Sequence, residues 1–209
     1  DLGARMRLLF TTLLFLAMCV HAPDLRVAFL RFQLFDALVV LGPMATGFTM
    51  LCLVGLLNAV NMADGKNGIV LSLSLMWSLI LVVSSPPELV PLFAALIVAI
   101  GVTLFFNMRG LLFLGDGGSY GLSALTGVLA IYVYNHDFEN LTAGRLALLF
   151  CIPVFDTMRL ITTRAARGRS PFAADRDRDG VGVVVDVAQP RGRTDPQSSA
   201  HQGRVGGLS

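Results

Sequence analysis

The chain is a succession of apolar runs separated by short polar segments. Stretches free of Asp, Glu, Lys and Arg run from Leu8 to Pro23, Ala37 to Ala63, Asn67 to Pro87, Leu89 to Met108, Gly117 to His136 and Leu146 to Phe155. Several approach the roughly 20 residues that cross a bilayer as a helix, so helices, not a barrel, are the economical assignment. The pattern predicts an all-α fold, a polytopic transmembrane helical bundle with about six spans. The first and last runs are short for a hydrocarbon core about 30 Å thick, and Arg5/Arg7 and Arg159/Arg164 read as their interfacial anchors. Ser84 to Pro87 and Asn135 to Gly144 read as tight turns, whereas Ala22 to Asp36 is longer and carries Asp24, Arg26, Arg31 and Asp36.

Six crossings place the N-terminus, the loops around Asp64 and Asp116, and the segment from Asp156 onward on one face. That face holds Arg5, Arg7, Lys66, Arg109, Arg159, Arg164, Arg167 and Arg169, while the other holds Arg26 and Arg31 with Arg145 at its edge. The positive-inside rule makes the first face cytoplasmic.

Composition agrees with the pattern. Of 209 residues 55% are hydrophobic and 14% charged, against about a quarter charged in soluble domains, and the mean hydropathy is +0.70. A net charge of +2, with Lys66 the only lysine, gives no footprint for a nucleic acid. Cys19, Cys52 and Cys151 have no paired spacing and read as small buried hydrophobes. No secretory signal with a cleavage site opens the chain, which starts at Asp1 and is expected to be a fragment. From about Asp175 the composition turns to Gly, Val, Asp, Arg, Pro and Ser without periodicity. Residues 1–174 are therefore expected to form a transmembrane core, and 175–209 a disordered tail or the product of an altered reading frame.

Three segments set polar and glycine residues at the ends of apolar helices, all on the face read as cytoplasmic. In Asn58-Ala-Val-Asn61-Met-Ala-Asp64-Gly-Lys-Asn67-Gly68 a helix would bring Asn58 and Asn61 to one face, and the glycines would let the backbone turn towards a ligand. The plain alternative is an Asn-rich helix end with a glycine turn. In Phe113-Leu-Gly-Asp116-Gly-Gly-Ser119 the carboxylate would repel a phosphate unless a hard cation stood between them; the alternative is helix capping by Asp116 or Ser119. The third, around Asp156 and its following arginines up to Ser170-Pro171-Phe172 and Asp175-Arg176, suits anionic headgroups or a diphosphate. A positive-inside anchor explains the arginines as well, and Asp156 has Arg159 or Arg164 to pair with.

In this order the three segments resemble the signatures of the polyprenyl-phosphate N-acetylhexosamine-1-phosphate transferases. That membrane family, glycosyltransferase family 4, contains bacterial undecaprenyl-phosphate GlcNAc-1-phosphate transferase and, more distantly, phospho-MurNAc-pentapeptide translocase. The likeness covers residues 1–176, and the Ser-Pro-Phe-x-x-Asp-Arg run favours the GlcNAc-1-phosphate branch. It implies transfer of a sugar 1-phosphate from a UDP-sugar to undecaprenyl phosphate with release of UMP, assisted by Mg²⁺ or by Mn²⁺ in its place. By the same likeness Asp116 is the metal ligand, and Asp64 and Asn67 join it as catalytic residues. Asn58, Asn61, Phe113, Asp156, Arg167 and Arg169 fall to substrate binding, with Phe113 stacking on uracil, the role of Asp156 open and the two arginines on phosphate. The implied partners are the UDP-sugar, the polyprenyl phosphate and membrane lipid, with a homodimer compatible and no nucleic acid. The implied location is the bacterial inner membrane, multi-pass, with the site loops facing the cytoplasm.

The chain departs from that pattern in three places. Asn67 stands where many members carry Asp, the family's adjacent aspartate pair would precede Asp1, and no His-x-His-His loop follows Arg176. Two rivals follow: a non-catalytic membrane scaffold or UDP-sugar binder, and a small-solute transporter, which the clustering of acidic motifs on one face disfavours.

Overall fold

A computed structural model describes residues 4–64 and 67–166. Helix α1 (Ala4–His21) leads through a single turn into a hairpin of β1 (Phe29–Phe32) and β2 (Ala37–Val40), followed by α2 (Ala45–Ala63), α3 (Ile69–Val83), α4 (Val90–Met108), α5 (Gly115–His136), α6 (Ala143–Leu149) and α7 (Cys151–Ala166). The boundary expected at 174/175, the segment 175–209, and Arg167 and Arg169 lie outside the described residues.

Each apolar stretch holds helix, yet the expectation of about six spans is met only in part. Two helices, Gly42–Ala63 and Pro87–Met108, are long and apolar enough to cross a membrane, and a third is reached if the bent pair Ala143–Leu149 and Cys151–Thr163 is one span. Two more, Met6–His21 and Ile69–Val83, are apolar but shorter. Helix α5 is long, but Gly, Ser, Thr and Tyr dilute its apolar residues. Those same small residues fit it for the centre of the bundle, where it packs on α2 and α3. Its buried Ser123 and Thr126 hydroxyls donate 2.7 Å and 2.8 Å back to the carbonyls of Ser119 and Leu122, so they enter the core already satisfied. Around them Trp77, Tyr134, Phe93, Leu57 and Leu81 make up the largest buried side chains. The three cysteines are free, and Cys52 is exposed, not buried.

The described chain is mostly helical, as expected, and the hairpin is a short departure from an all-α fold. Ala37–Val40 had the look of the start of the second span, but it pairs antiparallel with β1 in the register Phe29↔Val40 to Phe32↔Ala37. β-Branched Val39 and Val40 favour a strand, and Gly42 at φ 50 followed by Pro43 separates it from α2. The Tyr134 hydroxyl ties this hairpin to α5, donating to the Phe29 carbonyl at 3.1 Å and accepting from the Arg31 amide at 2.9 Å. Beside it Asn135 Nδ2 reaches the carbonyls of Asp24 and Arg26 at 2.6 Å and 3.0 Å. The hairpin and the end of α1 therefore sit at the C-terminal end of α5, opposite the end that carries Asp116.

Candidate active site

The N-terminal end of α5 meets the C-terminal end of α2 and the start of α1, and three of the sequence-predicted residues converge there. Asp64 terminates α2, its amide bonded to the Val60 carbonyl at 3.0 Å. The buried Ser119 hydroxyl lies 3.3 Å from Asn61 Oδ1 and 3.1 Å from the Asp116 carbonyl, and donates to one at a time. Burial pushes the Asp64 carboxyl above the usual carboxylate range; the Ser119 hydroxyl pulls it back, and the Asp116 charge adds to the rise. Asp116 itself is ion-paired with Arg7, whose guanidinium carbon is 6.0 Å from the centre of the Tyr120 ring. Arg7 Nε is buried and finds no acceptor among the described residues.

The remaining candidates are not drawn into this cluster. Asn58 is half-buried and its Nδ2 donates to the Val54 carbonyl at 2.7 Å within α2. Asn67 is exposed in the turn before α3, and Phe113 is 74% exposed in the loop before α5, an aromatic face open to a ligand. Asp156 is paired with Arg159 on its own helix at 2.9 Å, the plain alternative weighed from the sequence. No side chain caps α5, so neither Asp116 nor Ser119 is used as a cap.

Sequence reasoning missed Arg7, which read as an interfacial anchor, and Ser119, which read as a cap. It also missed Asn107, a lone amide inside an apolar run and 3% exposed, whose Nδ2 holds the Leu112 carbonyl at 2.7 Å and shapes the loop that leads to Phe113. That isolation in an apolar stretch was the available signal.

The residues of this cluster could hold a hard divalent cation if the ion displaced the Arg7 guanidinium from Asp116. Asp64 and Asp116 repel each other, Asn61 and Ser119 add neutral oxygens, and Mg²⁺ is commonly held by one or two carboxylates, with substrate phosphates and water completing its shell. Among the described residues no group of three His, Cys, Asp or Glu side chains is assembled, so the other ligands would be of that substrate and solvent kind.

An apolar groove of about 660 Å³ runs between α2, α5, α6 and α7. Val27 and Tyr134 line it at the hairpin end, and Ala59, Thr157 and Met158 at the other. Thr157 Oγ1 meets the Ala59 carbonyl at 3.5 Å, so the groove extends towards the C-terminal end of α2, the end that carries Asn61 and Asp64.

The pattern that defines Glycosyl transferase family 4 matches residues 1–134. The chain belongs to glycosyl transferase family 4. It is also similar, at 29% identity over 141 residues, to a Bacillus subtilis (strain 168) protein named "Probable undecaprenyl-phosphate N-acetylglucosaminyl 1-phosphate transferase". The match covers 65% of this chain and 39% of that relative, so the chain spans well under half of the relative's length. No solved structure matches.

Proposed function

We propose that the protein transfers a sugar 1-phosphate, GlcNAc 1-phosphate in the first instance, from a UDP-sugar to undecaprenyl phosphate and releases UMP. The observation that carries this reading is the pairing of an acidic, amide-lined cluster at the C-terminal end of α2 with an apolar groove that extends along α2 towards that end. A polyprenyl phosphate has that division: a long apolar chain for the groove and an anionic head for the cluster. Family membership and the name of the B. subtilis relative support it. The six helical stretches, with α6 and α7 as one bent span, would then cross the bacterial inner membrane with the cluster facing the cytoplasm.

The chemistry asks for gathering more than for proton transfer. An oxygen of the acceptor phosphate, already an anion, bonds to the β-phosphorus of the donor while the bond from that phosphorus to the bridging oxygen breaks and UMP leaves with it. Asp116 would hold a Mg²⁺ ion, which when bound would neutralise charge on the phosphoryl group being transferred. Asp64 stands close to Asp116, Asn61 and the exposed Asn67 offer amides to the nucleotide, and Phe113 offers its ring to uracil.

The position of the carboxylates at a bundle end, and not at mid-membrane, counts against a solute transporter. The test is Mg²⁺-dependent UMP release from UDP-GlcNAc with undecaprenyl phosphate in proteoliposomes. Release is the expected result; UDP-GlcNAc binding without UMP would overturn it in favour of a non-catalytic binder.

A further inference from the structure

The α6–α7 wall of the groove is shaped by a residue that never touches the groove. In a continuous helix the amide of residue 153 would donate to the Leu149 carbonyl, but residue 153 is proline and has no N–H to give. A carbonyl left unpaired in an apolar interior is costly. Trp77, on α3 and fully buried, fills the gap: its Nε1 donates to the Leu149 carbonyl at 2.8 Å. Its ring also meets Phe150 edge-on, with centroids 4.8 Å apart at 70°, and Phe150 is the single residue between the two helices. The helices diverge there by 63°.

That bend decides the form of the groove. Leu146, Phe150, Val154 and Met158 line it at intervals of four, the spacing of one helix face. On a straight helix this stripe would be flat. Bent at Phe150, it curls around the cavity and brings α7 to α2, where Thr157 meets the Ala59 carbonyl.

We propose that Trp77 is a positioning residue for the lipid acceptor: its bond to the Leu149 carbonyl fixes the α6–α7 bend and hence the walls that hold the prenyl chain. The inference rests on the reading of the groove as the acceptor site. Trp77→Phe keeps an aromatic ring on the Phe150 side and removes the N–H together with part of the indole. In proteoliposomes it should raise the acceptor KM roughly fivefold, the factor that one ordinary hydrogen bond corresponds to, and leave the UDP-sugar KM unchanged.

A second variant separates positioning from mere satisfaction of the carbonyl. Trp77→Phe combined with Pro153→Ala returns a backbone N–H for Leu149, so thermal stability should rise above that of Trp77→Phe, but by straightening the helix, so the acceptor KM should stay high. A double variant that regains stability and also returns the acceptor KM to the wild-type value would overturn the proposal. The bend has its own readout in spin labels on Leu148→Cys and Thr162→Cys, with Cys19, Cys52 and Cys151 replaced, and their separation should change in Trp77→Phe. An unchanged separation, or equal shifts in both KM values, would also overturn it. If the wild type transfers nothing, the transferase reading fails, while the label separation still decides whether Trp77 sets the bend.

Discussion

Arg7, near the start of α1, is ion-paired with Asp116, in the first turn of α5. The pair joins two segments 109 residues apart in sequence and sets Asp116 beside Asp64, whereas Asp156 is paired within its own helix. The two aspartates should therefore respond differently. Asp116→Ala is expected to lower turnover by at least about a hundredfold, in keeping with a ligand to a cation worth several kcal/mol of charge stabilisation. Asp156→Ala, which breaks an exposed pair worth about 1 kcal/mol or less, is expected to stay within a few-fold of wild type. Initial rates of UMP release check this ranking, and equal losses would refute it.

The pair also shows what sequence can and cannot convey. Asn61, Asp64 and Asp116 were legible because amides, carboxylates and glycines are rare in apolar helices and so stand out. Arg7 was not, since an arginine before an apolar run is the ordinary mark of a membrane anchor. The helices were legible from apolar runs alone, but hydrophobicity has no period where every face is buried or meets lipid. Strand β2 was thus absorbed into the second span, and its hairpin turn gave no warning, because Leu34 and Phe35 occupy the exposed turn where polar residues and glycine are usual. The break between α6 and α7 had a visible cause in Pro153, though its partner Trp77 lies on a helix distant in sequence.

The raised Asp64 carboxyl makes a pH prediction with a definite sign. A carboxyl that binds its proton more tightly in the folded than in the unfolded protein contributes stability below the ordinary carboxylate value, and that contribution is lost as pH rises through the raised value. Asp64→Asn has no such dependence. Its thermal stability in detergent should accordingly gain on wild type as pH rises through that window and then run parallel. Mg²⁺ should narrow the gap by stabilising the ionised form; a gap that widens towards acid would contradict the assignment.

At the opposite end of the bundle, Tyr134→Phe should cost stability. The hydroxyl serves two backbone groups of β1, the Phe29 carbonyl and the Arg31 amide, and its loss leaves both short of a partner, for about 1–3 kcal/mol. Thermal unfolding should report the loss, and the KM for the UDP-sugar, which binds at the other end of the bundle, should stay at the wild-type level.

Two motif glycines are expected to give opposite results, because the backbone requires one and not the other. Gly68 sits before α3 at φ 85, and a Cβ there would meet Met108 Sδ at the end of α4. Gly68→Ala combines a left-handed conformation costing about 1–2 kcal/mol with displacement of Met108, so stability should fall. Gly117, in the first turn of α5 next to Asp116, has open space around a Cβ. There alanine should raise helix stability by roughly 0.5–1 kcal/mol. If the glycine keeps the backbone bare for a phosphate, the same substitution should reduce UMP release while the melting temperature rises, a combination that a purely structural glycine would not produce. Unfolding curves and rates measured on one preparation decide between the two.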